Sequence, residues 1–218
     1  MSGSFQVESP IGQDTRVHGG KRHPAGWFWR VQYSPPQMST RRLSEDSIVI
    51  RGATPGDAGA LARLAERTFR AAFGARNTEE DMNAHCAENF GPTMQAAEIA
   101  DRAVETVIAE DANGLIGFGQ LCWGSAPECV RATRPAEVRR LYVEERWHGR
   151  GVAQRLLSDL LARAGTGDAD LVWLGVWEHN PRAIAFYEKV SFTRVGAQVF
   201  QLGSDAQRDL VLVRPWAA

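Results

Sequence analysis

The stretch that most constrains this chain is Leu141-Tyr-Val-Glu-Glu-Arg-Trp-His-Gly-Arg-Gly-Val-Ala153, with the apolar ladder that follows it. Ala136 to Val143 reads as a strand. A loop then carries Gly149 and Gly151, and a helix is expected from Gly149 to about Ala164, closed by Gly165 and Gly167. Val152, Leu156, Leu157, Leu160 and Leu161 share one helical face, so this helix must lie on a sheet. Its first turn presents unpaired backbone N–H groups and a partial positive charge. Glycines let a ligand come close to those groups. The combination favours a phosphate or pyrophosphate, to which Arg146 and Arg150 can add charge-assisted bonds.

Two nucleotide-binding loops fit poorly. A P-loop needs Lys-Ser or Lys-Thr after its last glycine, where this chain has Val152-Ala153. A dinucleotide-binding GxGxxG loop needs a third glycine where Gln154 stands, although Asp170 follows at about the right distance. A turn whose glycines serve only chain reversal is the bland alternative.

The elements around this loop read as an α/β chain. Ser47 to Ala53 is a strand, and Thr54-Pro55 caps and opens a helix carrying Leu61, Leu64, Ala65, Thr68, Phe69 and Phe73 on one face. Gly74 is its stop. Thr78 with Asp81 starts a second helix through about Phe90, and a short third covers Met94 to Ala100. Val104–Glu110 and Leu115–Trp123 are strands joined through the hairpin signal Asn113-Gly114. Leu171 to Trp177 is a buried strand, with Trp173 and Trp177 on one face. Asn180-Pro181 opens a helix through about Lys189, and Ser191–Gln201 pairs with Arg208–Arg214. This order predicts a mixed sheet with flanking helices. Residues 1–46 hold four of the ten prolines and no sustained period, which predicts an irregular, disordered extension before a domain over 47–218. Trp27, Phe28 and Trp29 are the exception within it, and Met38 is a candidate start.

Composition narrows the function classes. A net charge of −1 over 218 residues gives no global field for nucleic acid or anionic membrane. Cys86, Cys122 and Cys129 cannot all pair within one chain, which suits reduced thiols in a cytoplasmic protein. The five histidines form no cluster of metal-site spacing, so no metal is expected. The first residues hold no apolar run before a small-residue cleavage site, so no secretory signal is expected, and no apolar run approaches about 20 residues.

His148-x-x-Gly151-x-Ala153 resembles the Q/R-x-x-G-x-G/A acetyl-CoA signature of the GNAT N-acetyltransferases, with His148 in place of Gln or Arg. Arg146 offers an overlapping match with Gly149 and Gly151, but the register through Leu156-Leu157 favours His148. Leu174 to Lys189 resembles the family's second block. The patterns Gly196-Ala-Gln-Val-Phe200, Gly203…Gln207-x-Asp209-Leu and Thr68-Phe…Phe73…Asn77-x-x-Glu80-Asp-Met82 are similar to bacterial PaiA-type spermidine/spermine N-acetyltransferases. The resemblance covers roughly residues 48 to 214.

That resemblance implies a mostly antiparallel mixed sheet with a splayed central strand pair, and acetyl-CoA as cosubstrate. It places the cofactor on Leu141, Tyr142, Val143, His148, Gly149, Arg150, Gly151, Val152 and Ala153, with Asn180 and Tyr187 beside it. The pantetheine arm bonds backbone near Leu141 and Val143, where a free N–H can receive the oxyanion. Tyr187 is the candidate acid for the departing thiolate, its phenol being ordinarily near pKa ~10. Glu137 is the candidate base, directly or through water, and by period-2 spacing it shares a face with Arg139, Leu141 and Val143. His179 is a lesser candidate. Transfer is then direct, to a primary amine such as spermidine or spermine, with Glu79, Glu80, Asp81 and Glu88 as candidate holders of its charges. A small-molecule amine is the partner expected, and a homodimer is left open. The alternatives are a GNAT-fold CoA-binding sensor without turnover, and a nicotinamide-binding Rossmann protein, which leaves the Asn180–Tyr187 block unexplained.

Overall fold

A computed structural model describes residues 48–124, 126–202 and 205–215. The extension expected over 1–46, with Trp27–Trp29 and Met38, lies outside the described residues, as does Gly203. β1 (Val49–Gly52) leads through a short 3-10 turn into α1 (Ala58–Phe73). The turn is closed by a capping box between Thr54 and Asp57, with Pro55 in its first position. α2 (Glu79–Asn89) starts on Thr78, whose hydroxyl accepts from the Asp81 N–H, and α3 (Pro92–Ala100) follows. β2 (Val104–Asp111), β3 (Gly114–Trp123) and β4 (Pro135–Val143) form a meander. α4 (Val152–Thr166), β5 (Leu171–Trp177), α5 (Pro181–Lys189), β6 (Thr193–Leu202) and β7 (Asp205–Pro215) complete the order.

The seven strands form one sheet in the order β1-β2-β3-β4-β5-β7-β6. Every pairing is antiparallel except β4 with β5. One face carries α4 and α5 over a core that includes Val107, Leu121, Leu156, Leu160, Leu174 and Leu212. The other carries α1 and α2 over Leu61, Leu64, Phe69, Ile108 and Phe118. On that same face, farther along the sheet, Trp173, Val211 and Val213 pack under Ala126–Ala132.

Two features differ from the sequence reading. α4 begins at Val152, not Gly149, because Gly149 and Gly151 have φ of 75° and 78° and cannot belong to a right-handed helix. The second concerns parity. The β3–β4 register runs Gln120↔Arg140 and then Leu121↔Val138, leaving Arg139 as an extra residue in β4. This bulge reverses the alternation beyond it. Ala136 and Val138 face the α4–α5 core, and so do Leu141 and Val143. Glu137 is therefore on the opposite face from Leu141 and Val143, with Arg140 and Tyr142. The shared face expected from period-2 spacing is thus corrected: it ends at the bulge. α3 holds the bulge from outside. Glu98 there accepts from Arg140 at 2.6 Å and from the buried Gln120 at 3.0 Å, and lies 4.0 Å from Arg139.

Candidate active site

β4 and β5 pair over only three positions, Pro135↔Leu171, Ala136↔Val172 and Glu137↔Trp173. Beyond these the strands part, β5 continuing against β7 and β4 against β3. The edge of β4 facing the gap is readable from its hydrogen bonds. Val143 O accepts from His148 Nε2 at 2.8 Å, and the next residue's N–H, of Glu144, reaches Ile116 O on β3. Val143 thus directs its backbone away from β3, and by strand parity Leu141 does the same, while Tyr142 turns its backbone to β3. Leu141 and Val143 line an edge that β5 does not pair.

The gap ends at the glycine loop. A 3-10 turn over Glu145–Trp147 buries Trp147, and the Arg150 guanidinium lies 5.3 Å over that indole. Gly151, left-handed, is the residue before α4. The Arg155 N–H is the first to close onto the helix, reaching Gly151 O at 3.0 Å, so those of Val152, Ala153 and Gln154 have no intrahelical partner. A Cβ on Gly149 or Gly151 would meet nothing within 4 Å, so the space over the loop is open. Open space, unpaired N–H groups and Arg150 fit the pyrophosphate of a CoA-type ligand. His148 is committed otherwise: with Nε2 on Val143 O, its Nδ1 faces Arg182 of α5. The ring donates through Nε2 and accepts through Nδ1, joining the β4 side of the gap to the α5 side. Arg182 was not singled out in the sequence. Its only signal there is its place in the first turn after Asn180-Pro181.

Asn180 caps α5 through its side chain, which accepts from the Ala183 N–H at 3.1 Å. That helix brings Tyr187 to the α4–α5 face, buried between Phe186 and Phe192. Its hydroxyl has no hydrogen-bond partner among the described residues. Burial, with a smaller contribution from Tyr142, pushes its pKa well above the ordinary phenol range. Tyr187 therefore stays protonated and offers an O–H. It is a weaker acid than its ordinary value suggests.

The α1–α2 face of the gap carries the other candidates. Glu137 lies 3.6 Å from Arg139, and burial raises its pKa against the opposing pull of that guanidinium. Trp173, Gly175 and Trp177 alternate onto this face. Trp173 packs on Val211, while Trp177 lies tilted against Phe73 and under Arg76. His179 sits edge-on to Trp177. Glu79, Glu80 and Glu88 are exposed on α2, the Glu79 side chain being 92% accessible, and they form no cluster in the gap. Asp209, which the sequence reading quoted without a role, is the carboxylate that β7 brings there. It pairs with Trp177 across β5 and Gln198 across β6.

An open strand edge beside a phosphate-accepting helix terminus is the arrangement of a coenzyme A-dependent acyltransferase. The profile of the Acetyltransferase (GNAT) family matches residues 61–192, and the chain belongs to that family. It is 32% identical over 158 residues to an uncharacterised N-acetyltransferase of Mycobacterium tuberculosis, covering 72% of this chain and 97% of the relative. An uncharacterised N-acetyltransferase of Lactobacillus delbrueckii subsp. lactis is 28% identical over 149 residues, covering 68% and 86%. Among solved structures, the PaiA N-acetyltransferase of Thermoplasma acidophilum in complex with coenzyme A superposes with a TM-score of 0.63 at 20% identity, covering 78% of this chain and 99% of that one. The spermidine/spermine N-acetyltransferase SpeG of Vibrio cholerae superposes at 0.54 and 21%, covering 78% and 94%. The protein is a GNAT N-acetyltransferase, and acetyl-CoA is its cosubstrate.

Proposed function

We propose that this enzyme transfers acetyl directly to a small-molecule primary amine, with polyamines such as spermidine and spermine as the acceptor class. The observation that carries the reading is the gap between β4 and β5, with an open backbone edge on one side and Tyr187 on the α5 side. Acetyl-CoA supplies the activated thioester. Leu141 and Val143 would hold its pantetheine arm as an added strand is held, and the Leu141 N–H would receive the carbonyl oxygen. Val152, Ala153 and Gln154 N–H groups with Arg150 would hold the pyrophosphate, which makes His148 and Arg182 neighbours of the arm. Tyr187 would donate its O–H toward the departing sulfur. No side chain need act as nucleophile: Cys86 and Cys122 are buried, and burial lifts the Cys122 thiol to about 11.

The acceptor enters from the α1–α2 face. Glu137, tied to Arg139, serves there as an anchor for a second ammonium. The PaiA and SpeG proteins of like fold, and two carboxylates on this face, support the polyamine reading. Its test is acetyl-CoA-dependent thiol release against polyamines, amino acids, aminoglycosides and peptides. Release with spermidine or spermine at millimolar or lower KM is expected. CoA binding without release for any amine would replace the enzyme by a sensor.

Tyr187→Phe removes one hydroxyl and keeps the ring. We expect kcat to fall on the order of 10²-fold, with CoA affinity unchanged. A near-wild-type kcat would move proton donation from Tyr187 to water.

A further inference from the structure

Asp209 immediately precedes the apolar run Leu210–Val213 of β7. Leu210 and Leu212 enter the α4–α5 core, and Val211 and Val213 enter the opposite one. Its carboxylate is half-buried and has no hydrogen-bond or ion-pair partner among the described residues, which a buried charge ordinarily requires. The space it lies in exists because residue 175 is glycine. A Cβ there would fall 3.1 Å from Asp209 Oδ2 and 2.9 Å from Gln198 Nε2. Gly175 is two residues past Trp173, the last β5 residue paired with β4. It is level with the Arg139 bulge, where the gap opens. Two residues from Asp209 on β7, the buried Gln207 has an Oε1 with no partner, although its Nε2 donates to Asn77 and Asp205. This wall thus offers acceptor oxygens seeking a donor.

We propose that Asp209 is the proton acceptor of the reaction: it receives the ammonium of the incoming amine over Gly175 and takes one proton from it. This deepens the proposed function and rests on it. The N–H bond of the ammonium breaks and an O–H bond forms on Asp209, freeing the nitrogen lone pair. The nitrogen then bonds to the acetyl carbon as the carbon–sulfur bond breaks. The second nitrogen proton passes to the thiolate by way of the Tyr187 hydroxyl or water, and the proton on Asp209 leaves to solvent. The balance is one ammonium and one thioester giving one amide, one thiol and one proton. Donor and acceptor thus stand on opposite faces of the sheet, Tyr187 on the α5 side and Asp209 on the α1–α2 side, joined through the splay.

The groups facing Asp209 suit this role. β4 contributes the Tyr142 phenol and, farther along the same face, the Glu137–Arg139 pair. β5 contributes Gly175 and Trp177, with Arg76 stacked on that indole from the α1–α2 link. β6 contributes the neutral Gln198. Burial pushes Asp209 up to about 6, so it is ionised at neutral pH yet basic for a carboxylate.

The test compares wild type, Asp209→Asn, Asp209→Glu and Glu137→Gln, with CoA affinity by calorimetry and kcat/KM from pH 5 to 9 for spermidine, or for whichever panel amine the wild type uses. Wild type should show an acid limb near pH 6 and a plateau above it, because it accepts the ammonium form. Asp209→Asn should bind CoA within twofold of wild type and lose on the order of 10²-fold or more in kcat/KM at pH 7. It needs the amine already deprotonated, so its rate should rise about tenfold per pH unit, a slope that a packing defect does not produce. Asp209→Glu should restore part of the plateau, and Glu137→Gln should keep the acid limb. An Asp209→Asn enzyme that keeps the plateau and the limb overturns the assignment while leaving acetyl transfer standing. A wild type inactive on every amine removes both.

Discussion

Asp209→Asn should make the folded protein more stable at neutral pH while disabling it, and the size of the gain follows from its burial. The carboxyl is held at about 6 against an ordinary value of 3.8, the cause being desolvation alone. A carboxyl whose pKa is raised by folding binds its proton more tightly in the folded state. Well below pH 3.8 it is protonated in both states and costs nothing. Between 3.8 and about 6 the unfolded chain ionises first, and the cost to the folded state grows. Above about 6 the cost is constant and complete. At 1.36 kcal/mol per pH unit a fully enclosed group would cost ~3 kcal/mol. Asp209 is only half-buried, so solvent screening brings the figure to about 1 kcal/mol. For a domain of this size that is a Tm gain of roughly 2–4 °C for Asn at pH 7.5, shrinking to zero near pH 4. Thermal unfolding of both proteins across pH 4 to 8, without CoA or amine, reads this directly. A variant that is less stable than wild type at pH 7.5, or a difference independent of pH, would show that the carboxylate has partners in the folded state and refute the reasoning.

Two further outcomes test the cofactor site and the bulge. Gly151→Glu puts a carboxylate into the open space over the α4 N-terminus and a side chain on a backbone with φ of 78°. Calorimetry should show CoA affinity reduced at least tenfold, with a loss of fold stability near ~1 kcal/mol from the left-handed conformation. Glu98→Ala removes the carboxylate partner of Arg140, each side chain of that pair being 12% accessible, and leaves the guanidinium without a counter-charge, held by Gln120 Oε1 alone, while Gln120 Nε2 keeps only Thr106. Denaturant unfolding should show a loss of about 3 kcal/mol, and a loss under 1 kcal/mol would mean that the bulge is held by the sheet alone.

Much of the fold was legible because its signals are local. The strand–glycine loop–helix unit, the Thr78 and Asn180 caps, the Asn113-Gly114 hairpin and the apolar face of α4 each rest on neighbours within a few residues. The backbone part of the proposed cofactor site follows from the same features, since unpaired N–H groups at a helix start need no distant partner. The faces of β4 were not legible beyond Val138. Side-chain parity accumulates along a strand, so the single extra residue at Arg139 reverses everything after it, and that insertion exists only in register with β3. The role of Asp209 was equally out of reach. Its position beside an apolar run is visible in the sequence, but whether such a carboxylate is paired or alone depends on strands far apart in the chain. β7 enters between β5 and β6 and lays Asp209 over Gly175, where it meets no ion-pair partner among the described residues. Sequence by itself determined which segments become helix and strand and where a helix start leaves its N–H groups unpaired. Tertiary structure decided which side chains face one another across the splay, because long-range strand order and register carry no local signal.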